Sequence, residues 1–298
     1  MGDEATCAAR QVSVHVHART ALAGNPSDGF GGAVVSVPIP TLRATASVVA
    51  TAGADFPLVA ATRKRFALAT SLAQVAPIAI ETTIPRSVGL AGSSAIVIAT
   101  LRCLAQHHGV ELTAMEIATL AHTIERVDLS IAGGWQDQII QSHGVSMLME
   151  FSPPMKQRTL MSGGLPIWIA WAKAQASENS GESHAPLRER AAAGTRESEQ
   201  IASTMAELAD IARVCADAFE AGDGHAVKAC MNTTFDLRAQ VMPIAAPHQH
   251  MIDLARDAGS AANFAGSGGT IVGVVPKDPA PLWTALDNAG FSRLDWTP

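Results

Sequence analysis

A glycine- and serine-rich segment directly precedes an apolar run that is typical of a buried helix. The segment reads "VGLAGSSAIVIATLRCL" from Val88 to Leu104. Helix N-termini expose unpaired N–H groups and a partial positive charge, so they bind phosphate well. Glycine also lets a backbone approach a bound anion closely. Gly89, Gly92 and the serines that follow could therefore hold a phosphate group, although a glycine turn between a strand and a core helix fits the same residues.

A second glycine segment, "GSGG" at 266–269, adds support for phosphate binding. Two widespread nucleotide-binding patterns are absent from the chain. Neither the GK[ST] ending of the P-loop nor the GxGxxG pattern of dinucleotide-binding folds occurs in it. The glycine segments therefore do not by themselves decide between a phosphate site and ordinary turns.

Two acidic residues could serve phosphoryl transfer, which uses a carboxylate on the metal ion and often another near the attacking hydroxyl. Glu125 falls on a predicted helix, where a glutamate usually pairs with a neighbour such as Arg126 or with solvent. Asp137 follows Gly133 and Gly134 in "GGWQDQII". Acidic residues beside glycines in loops are more often functional than those on helix faces, so Asp137 is the stronger candidate.

Three segments, taken together and in this order, resemble the three motifs of the GHMP kinases. They read "ARTALAGNPSDGFGG", "IPRSVGLAGSSAIVIATL" and "ANFAGSGGTIVGVV", and the resemblance covers the chain from about Val12 to Val275. Within this family the chain most resembles the glucuronokinases, through "LAGNPSD", "SGESHAPLRERAAAG" and "FDLRAQV". The "GGWQDQ" segment is also similar to segments of fucose and heptose-phosphate kinases.

The resemblance implies a fold and an activity. The implied fold is α+β with two lobes, residues 1–165 and 166–298, and an active site in the cleft between them. The implied activity is that of an ATP- and magnesium-dependent kinase that phosphorylates the anomeric hydroxyl of a sugar, with D-glucuronate as the first choice. A heptose phosphate, fucose and galactose remain open as substrates. A sugar- or ATP-binding protein without catalysis remains open as well.

The resemblance also implies roles for individual residues. Asp137 would orient, and could deprotonate, the sugar hydroxyl, while Arg19 would offset charge on the transferring phosphoryl group. Ser94 and Glu125 would hold magnesium. The residues that would bind the sugar are Asn25, Asp28, Arg188 and Arg238. The residues that would bind the ATP phosphates are Gly89, Leu90, Gly92, Ser93, Ser94, Ala95, Gly266, Ser267 and Gly268.

A sugar acid calls for a cationic partner, and arginine binds carboxylates through two parallel hydrogen bonds. Arg188 and Arg190 lie in the segment that resembles glucuronokinases, and Arg238 lies in "FDLR". Residues two apart do not share a helix face. If the segment is helical, at most one of Arg188 and Arg190 should reach a ligand, and we favour Arg188. Solvent-exposed surface arginines are the alternative.

Apolar periodicity predicts the elements that carry these residues. Alternation with period two predicts a half-buried strand in "QVSVHVHA", and further strands are predicted in "AVVSVPI", "IAIETTI", "SMLMEF", "PIWIAWA" and "TIVGVV". A capping box of Thr113 and Glu116 opens one predicted helix, and a long helix covers Glu197 to Ala221. The elements lack strict strand–helix alternation, which favours an α+β fold. The polar stretch from Lys173 to Arg196 is predicted to be a boundary or a mobile flap.

Composition limits the class of protein. Of the 298 residues, 48% are hydrophobic and 16% charged, as in globular proteins, and a net charge of -6 without a basic run argues against a nucleic-acid partner. No run of ~18 apolar residues predicts a membrane span, and no apolar signal segment follows the N-terminus. The four cysteines are predicted to be reduced thiols of a cytoplasmic protein. A monomer and a homodimer both remain open.

Overall fold

Two antiparallel β-sheets form the framework of the chain. A computed structural model describes residues 12–51, 56–131, 133–172 and 180–298. The strands of the first sheet are β1 (Ser13–Ala23), β2 (Ala33–Val48), β3 (Ile78–Thr82), β4 (Met147–Glu150) and β5 (Lys156–Thr159). Their order is β1-β2-β4-β5, with β3 also paired to β2. The strands of the second sheet are β6 (Ile167–Ala172), β7 (Asn263–Phe264), β8 (Thr270–Val274) and β9 (Phe291–Trp296), in the order β7-β8-β6-β9.

Helices cover both sheets. Those before the second sheet are α1 (Pro57–Thr70), α2 (Gly92–His108), α3 (Ala114–Thr123) and α4 (Gln136–His143). Those that follow β6 are α5 (Ser180–Ala192), α6 (Arg196–Glu220), α7 (Gly224–Val241), α8 (Ala246–Asp257) and α9 (Ala280–Asn288). A 3-10 turn covers Ser27–Phe30, and a π turn covers Ile124–Asp128 directly after α3.

The predicted α+β class is confirmed, since every strand pair among the described residues is antiparallel. The capping box is also confirmed: the Thr113 hydroxyl accepts from the Glu116 N–H, and Glu116 Oε2 accepts from the Thr113 N–H at 2.7 Å. Two boundaries differ from the prediction. β1 continues to Ala23, five residues beyond Ala18, where the predicted strand "QVSVHVHA" ends. The predicted regular helix through Glu125 gives way to the π turn.

The polar stretch predicted as a boundary or flap contains a helix. Residues 173–179 lie outside the described part of the chain, and α5 occupies Ser180–Ala192. Its Leu187 is 1% exposed and packs with Ile201 and Met205 of α6. The C-terminal half of α5 is therefore part of a packed core.

The largest buried cluster joins residues of both sheets. It contains Ala18 of β1, Leu101 of α2, Ile169 of β6 and Ala212 of α6. The predicted boundary after residue 165 falls between β5 and β6, so each sheet lies on one side of it. The division into two lobes stays a prediction, because the two parts share this core.

The buried residues include a tryptophan and three cysteines. Trp168 of β6 is fully buried. Cys103, Cys215 and Cys230 are buried free thiols, in agreement with the prediction, and Cys7 lies outside the described residues. Among the described helices, none combines the length and the apolar character that crossing a membrane requires.

Candidate active site

A pocket of about 820 Å³ lies between the start of α2, the segment before α4, the 3-10 turn and α5. This volume is in the range of small-molecule sites, and we call it the central pocket. The predicted residues that line it are Arg19, Asp28, Gly89, Leu90, Gly92, Ser93, Asp137, Arg188 and Ser267. The predicted residues that are not part of its lining are Asn25, Ser94, Ala95, Glu125, Arg238, Gly266 and Gly268.

The start of α2 presents uncapped backbone N–H groups. Gly89 and Ala91 adopt left-handed conformations with φ of 77° and 57°, and α2 begins at Gly92 without a side-chain cap. The first N–H groups of a helix have no partner inside the helix. Gln141 of α4 fixes this loop, because its Nε2 donates to the Ala91 carbonyl at 3.1 Å. The helix start is therefore held at the central pocket in a form that suits an anion.

The third-motif glycines pack onto this helix start. A side chain at Gly89 would place its Cβ 2.5 Å from the Gly268 carbonyl oxygen, and one at Gly266 would place its Cβ 2.5 Å from the Gly89 carbonyl oxygen. Approaches this short require residues without a Cβ. Thr270 Oγ1 also donates to the Val88 carbonyl at 2.7 Å. The two glycine segments thus form one continuous backbone surface at the edge of the pocket.

Arg19 of β1 connects the three motifs. Its Nε donates to Asp137 Oδ1 at 2.7 Å, and its Nη1 donates to the carbonyls of Gly89 and Ala265, each at 2.8 Å. Arg19 is 5% exposed, whereas the Asp137 side chain is 30% exposed to the pocket. Within the described residues, Arg19 Nη2 and Asp137 Oδ2 make no hydrogen bond. Both atoms are therefore available to a ligand.

Ser94 and Glu125 meet just outside the pocket lining. Each is 2% exposed, and Ser94 Oγ donates to Glu125 Oε2 at 2.8 Å. Gln138 Nε2 donates to the same carboxylate oxygen at 2.5 Å. Burial raises the pKa of Glu125, whereas the hydrogen bonds from Gln138 and Ser94 act in the opposite direction. Glu125 lies in the π turn, and such turns are frequent at functional sites. Its carboxylate is directed inward, to Ser94 and Gln138, and not to Arg126 or solvent.

The chemistry of Ser94 and Glu125 fits a magnesium ion. Magnesium takes oxygen ligands and is commonly bound through one or two carboxylates together with phosphate oxygens. A hydroxyl and a carboxylate oxygen lie side by side here. The described part of the chain contains no group of three or more His, Cys, Asp or Glu side chains that could hold a metal. The pair would therefore need further oxygen ligands from a bound phosphate or from water.

Asp28 is the second acidic residue among the described pocket-lining residues. Burial raises the pKa of Asp28 to about 6, and the charge of Asp137 acts in the same direction, while Arg19 and Arg188 act against it. A side chain at Gly134 would place its Cβ 2.5 Å from Asp28 Oδ2, so this carboxylate lies directly against the backbone before α4. At neutral pH Asp28 is mostly ionised and can accept hydrogen bonds from a ligand.

Arg188 reaches the pocket from α5, and Arg190 does not. Arg188 is partly buried and lines the pocket near Gly29. Among the described residues, no carboxylate lies within ion-pair distance of it. Arg190 instead binds Glu197 through Nε and Nη2, at 2.9 and 2.6 Å, and donates to the Val241 carbonyl. The helix separates the two arginines as the spacing predicts.

Asn25 and Arg238 form hydrogen bonds away from the pocket lining. Asn25 Nδ2 donates to the Phe264 carbonyl at 3.1 Å. Arg238 is 2% exposed, and its Nη1 and Nη2 donate to the carbonyls of Gly266 and Ser267 at 2.9 and 3.2 Å. Both side chains therefore contact the backbone of the third motif.

Comparison with known proteins shows which family the chain resembles. Residues 57–145 match the family model of the GHMP kinases N terminal domain. "Probable glucuronokinase 2" from Arabidopsis thaliana is 33% identical over 215 residues, which cover 68% of this chain and 57% of that protein. The chain is therefore similar to the GHMP kinases, and residues 57–145 correspond to their N-terminal domain. Its predicted likeness to glucuronokinases is confirmed, although the match spans little more than half of the plant protein's length.

A second relative and a solved structure extend this comparison within the GHMP kinases. The D-glycero-alpha-D-manno-heptose 7-phosphate kinase of Campylobacter jejuni is 43% identical over 68 residues, 23% of this chain and 20% of that protein. The structure of Lactococcus lactis galactokinase complexed with galactose superimposes with a TM-score of 0.79. It covers 97% of this chain and 93% of the galactokinase chain at 14% identity. This likeness confirms the predicted α+β fold of the GHMP kinases.

Three glutamines of α4 lie at the site and were not predicted from the sequence. Gln138 contacts Glu125, Gln141 fixes the loop before α2, and Gln136 lines the pocket while its Nε2 donates to Ser36 Oγ at 2.9 Å. A signal was present in the sequence. Three of the eight residues of α4 are glutamines. All three are buried in the structure, which is unusual because glutamine side chains are mostly exposed.

Proposed function

We propose that the chain is an ATP-dependent sugar kinase that converts D-glucuronate to its 1-phosphate. The observation that carries the proposal is the composition of the central pocket. An uncapped helix start, the Arg19–Asp137 ion pair and Arg188 all face one cavity, and among the described residues no carboxylate lies within ion-pair distance of Arg188. Phosphate, a reacting hydroxyl and an anionic substituent of the sugar are the groups that these three features would bind.

The nucleotide would bind along the α2 side of the pocket. Its phosphates would lie at the loop before α2, where backbone N–H groups and the helix dipole favour anions. Apolar side chains extend the pocket from there and suit the flat face of a base: Phe56, Leu58, Ile80, Ile84 and Ile96. Ser94 and Glu125 would hold magnesium, which when bound neutralises charge on the phosphate oxygens.

Asp137 and Arg19 would act on the reacting groups. Asp137 Oδ1 is fixed by Arg19, so Oδ2 would orient the anomeric hydroxyl and take its proton. The sugar oxygen then forms a bond to the γ-phosphorus, and the bond from that phosphorus to the bridging oxygen breaks, with the electron pair leaving on ADP. Arg19 Nη2 would offset negative charge on the phosphoryl oxygens during this transfer.

Arg188 would select the sugar. A cation without a partner in a pocket is best matched by a ligand anion, and a uronic acid supplies a carboxylate. Asp28, which is close enough to Arg188 to be affected by its charge, would accept hydrogen bonds from sugar hydroxyls. A heptose phosphate also carries an anion, and the Campylobacter relative favours it as the second candidate. Glucuronate comes first because the glucuronokinase match covers 68% of the chain.

The test is ADP release with ATP, magnesium and a panel of D-glucuronate, D-glucose, D-galactose, L-fucose and D-glycero-D-manno-heptose 7-phosphate. We expect turnover with glucuronate and little with glucose. Arg188→Ala should raise the KM for glucuronate by ~10- to 150-fold, because a charged hydrogen bond is worth about 1.5–3 kcal/mol. The KM for ATP should remain nearly unchanged.

Two variants serve as controls. Arg190→Ala removes the neighbouring arginine, whose partly exposed ion pair with Glu197 contributes little, so its kinetics should match the parent. Asp137→Asn should lose ~100- to 10,000-fold in kcat, which excludes a contaminating kinase. Equal use of glucose and glucuronate would overturn the carboxylate role of Arg188. ATP binding without ADP release for any sugar would favour a non-catalytic binding protein.

A further inference from the structure

Arg238 is a buried cation to which the proposed reaction assigns no role. It lies on α7, is 2% exposed, and its guanidinium lies 4.8 Å from the centre of the Phe264 ring. Among the described residues, no carboxylate lies within ion-pair distance of it. Burial lowers the pKa of Arg238 to about 10, so the side chain stays charged at neutral pH. Burying an unpaired charge is costly, which raises the question of what its hydrogen bonds achieve.

The hydrogen bonds of Arg238 fix two successive peptide groups of the third motif. Nη1 donates to the Gly266 carbonyl at 2.9 Å, and Nη2 donates to the Ser267 carbonyl at 3.2 Å. The C=O and the N–H of a trans peptide point in opposite directions. The N–H groups of Ser267 and Gly268 therefore point away from Arg238.

The nitrogen atoms of these two groups lie beside the helix start at the central pocket. The position of a Cβ on Gly89 would be 3.5 Å from the nitrogen atoms of both Ser267 and Gly268, and Ser267 lines the pocket. Within the described residues, neither nitrogen donates a hydrogen bond. The next amide in the chain is used differently, because the Gly269 N–H donates to His248 Nε2 at 3.2 Å.

We infer that Arg238 is a positioning residue that aims the Ser267 and Gly268 N–H groups at the nucleotide phosphates. This inference rests on the proposed kinase function. It assigns Arg238 to the nucleotide and not to the sugar. Arginine suits the task because its planar fork presents two donors at a fixed spacing to two adjacent carbonyls, whereas lysine carries one ammonium group on a flexible chain.

The experiment compares Arg238→Met and Arg238→Lys with the parent protein. Binding of the non-hydrolysable ATP analogue adenylyl imidodiphosphate is measured by calorimetry, and the KM values for ATP and glucuronate are measured with the active enzyme. Arg256→Met is the matched control: Arg256 also lies over a phenylalanine, Phe235, and pairs with Asp236, but it does not line the pocket.

We expect Arg238→Met to weaken analogue binding by about tenfold or more, since two charged hydrogen bonds no longer fix the loop. The KM for glucuronate should change less than about threefold, Arg238→Lys should restore part of the analogue affinity, and Arg256→Met should match the parent. A raised KM for glucuronate with unchanged analogue binding would overturn the inference and assign Arg238 to the sugar. A lowered melting temperature with both constants unchanged would overturn it in favour of a purely structural role.

Two features keep the test decisive. If Arg238→Met does not fold, Arg238→Lys is judged by the same two constants, because it retains the charge and most of the volume. If no sugar on the panel is phosphorylated, the proposed function fails, but the calorimetric comparison of parent and variants still supports or overturns the role of Arg238.

Discussion

At the scale of single residues, the central pocket places two carboxylates in different environments. Asp137 shares its Oδ1 with Arg19 and is 30% exposed. Asp28 lies against the backbone at Gly134, where burial raises its pKa to about 6. Active sites in which two carboxyl groups have different chemical roles commonly place the two groups in different environments. This contrast agrees with a hydroxyl-orienting role for Asp137 and a sugar-binding role for Asp28.

The raised pKa of Asp28 predicts how stability depends on pH. The carboxyl group has a pKa near ~3.9 in an unfolded chain and about 6 in the fold. The folded state therefore binds the proton more tightly, and stability falls as pH rises from about 4 through 6. Asp28→Asn removes this loss of stability. The difference in melting temperature between the variant and the parent should therefore be larger at pH 8 than at pH 4. Thermal denaturation at a series of pH values measures the difference.

The exposed Asp253 of α8 provides the comparison for Asp28. The increase in melting temperature from pH 4 to pH 8, relative to the parent, should be larger for Asp28→Asn than for Asp253→Asn. A difference between Asp28→Asn and the parent that is also independent of pH would show that burial does not disfavour the charge of Asp28. Sugar binding should weaken in the same variant, because an amide is a poorer acceptor than a carboxylate.

At the scale of elements, the two ends of α2 have different tasks. Both ends use a glycine with positive φ: Gly89 at 77° before the helix and Gly109 at 65° after it. The N–H of Gly109 donates to the Ala105 carbonyl and closes the helix, and nothing lies within 4 Å of the place where its Cβ would be. At Gly89 a Cβ would meet the Gly268 carbonyl. One glycine ends the helix, and the other allows the third motif to approach.

Alanine at these two glycines separates backbone strain from loop contact. Each substitution imposes a left-handed conformation on alanine, at a cost of roughly 1–2 kcal/mol. Gly109→Ala should lower the melting temperature and leave the KM for ATP unchanged. Gly89→Ala should in addition separate the two glycine segments and raise the KM for ATP by about tenfold or more. Equal kinetics for the two variants would contradict a role of the Gly89–Gly268 contact in nucleotide binding.

Local periodicity in the sequence predicted many of the strands and helices. It did not predict the features that depend on contacts between distant parts of the chain. The alternating valines of β1 and the capping box of α3 are encoded within a few residues. The π turn at Glu125 could not be predicted, because the apolar stripe of α3 continues into it through Ile124. Its Glu125 is held by contacts with Ser94 and Gln138, which are distant in the sequence.

The same limit applies to the arginines of the candidate site. The separation of Arg188 from Arg190 could be predicted, because it follows from helix geometry alone. The position of Arg238 could not, since it depends on where the third motif passes α7. The helix α5 was missed for a composition reason: it contains Pro186 and, among its described side chains, Leu187 is the one large apolar residue.

At the scale of the whole molecule, distant parts of the chain form the side of the pocket that we propose binds the sugar. Phe30 of the first motif lines the pocket and packs against a cluster that contains Leu187 of α5, Leu208 of α6 and Val241 of α7. Arg188, the residue after Leu187, lies beside Gly29. The cluster thus fixes the helix that carries Arg188 relative to the first motif.

The last prediction tests whether this packing positions Arg188. Leu187→Ala removes a side chain that is 1% exposed, so it should cost ~2–5 kcal/mol of stability. Because α5 then loses its anchor beside Arg188, the KM for glucuronate should rise, while the KM for ATP should stay nearly unchanged. Leu286→Ala of α9 is the control, since Leu286 is fully buried in a separate cluster with Trp168 and Leu282. It should lose similar stability and keep both KM values. If the two variants affect glucuronate equally, the cluster supports the fold in general and does not position Arg188.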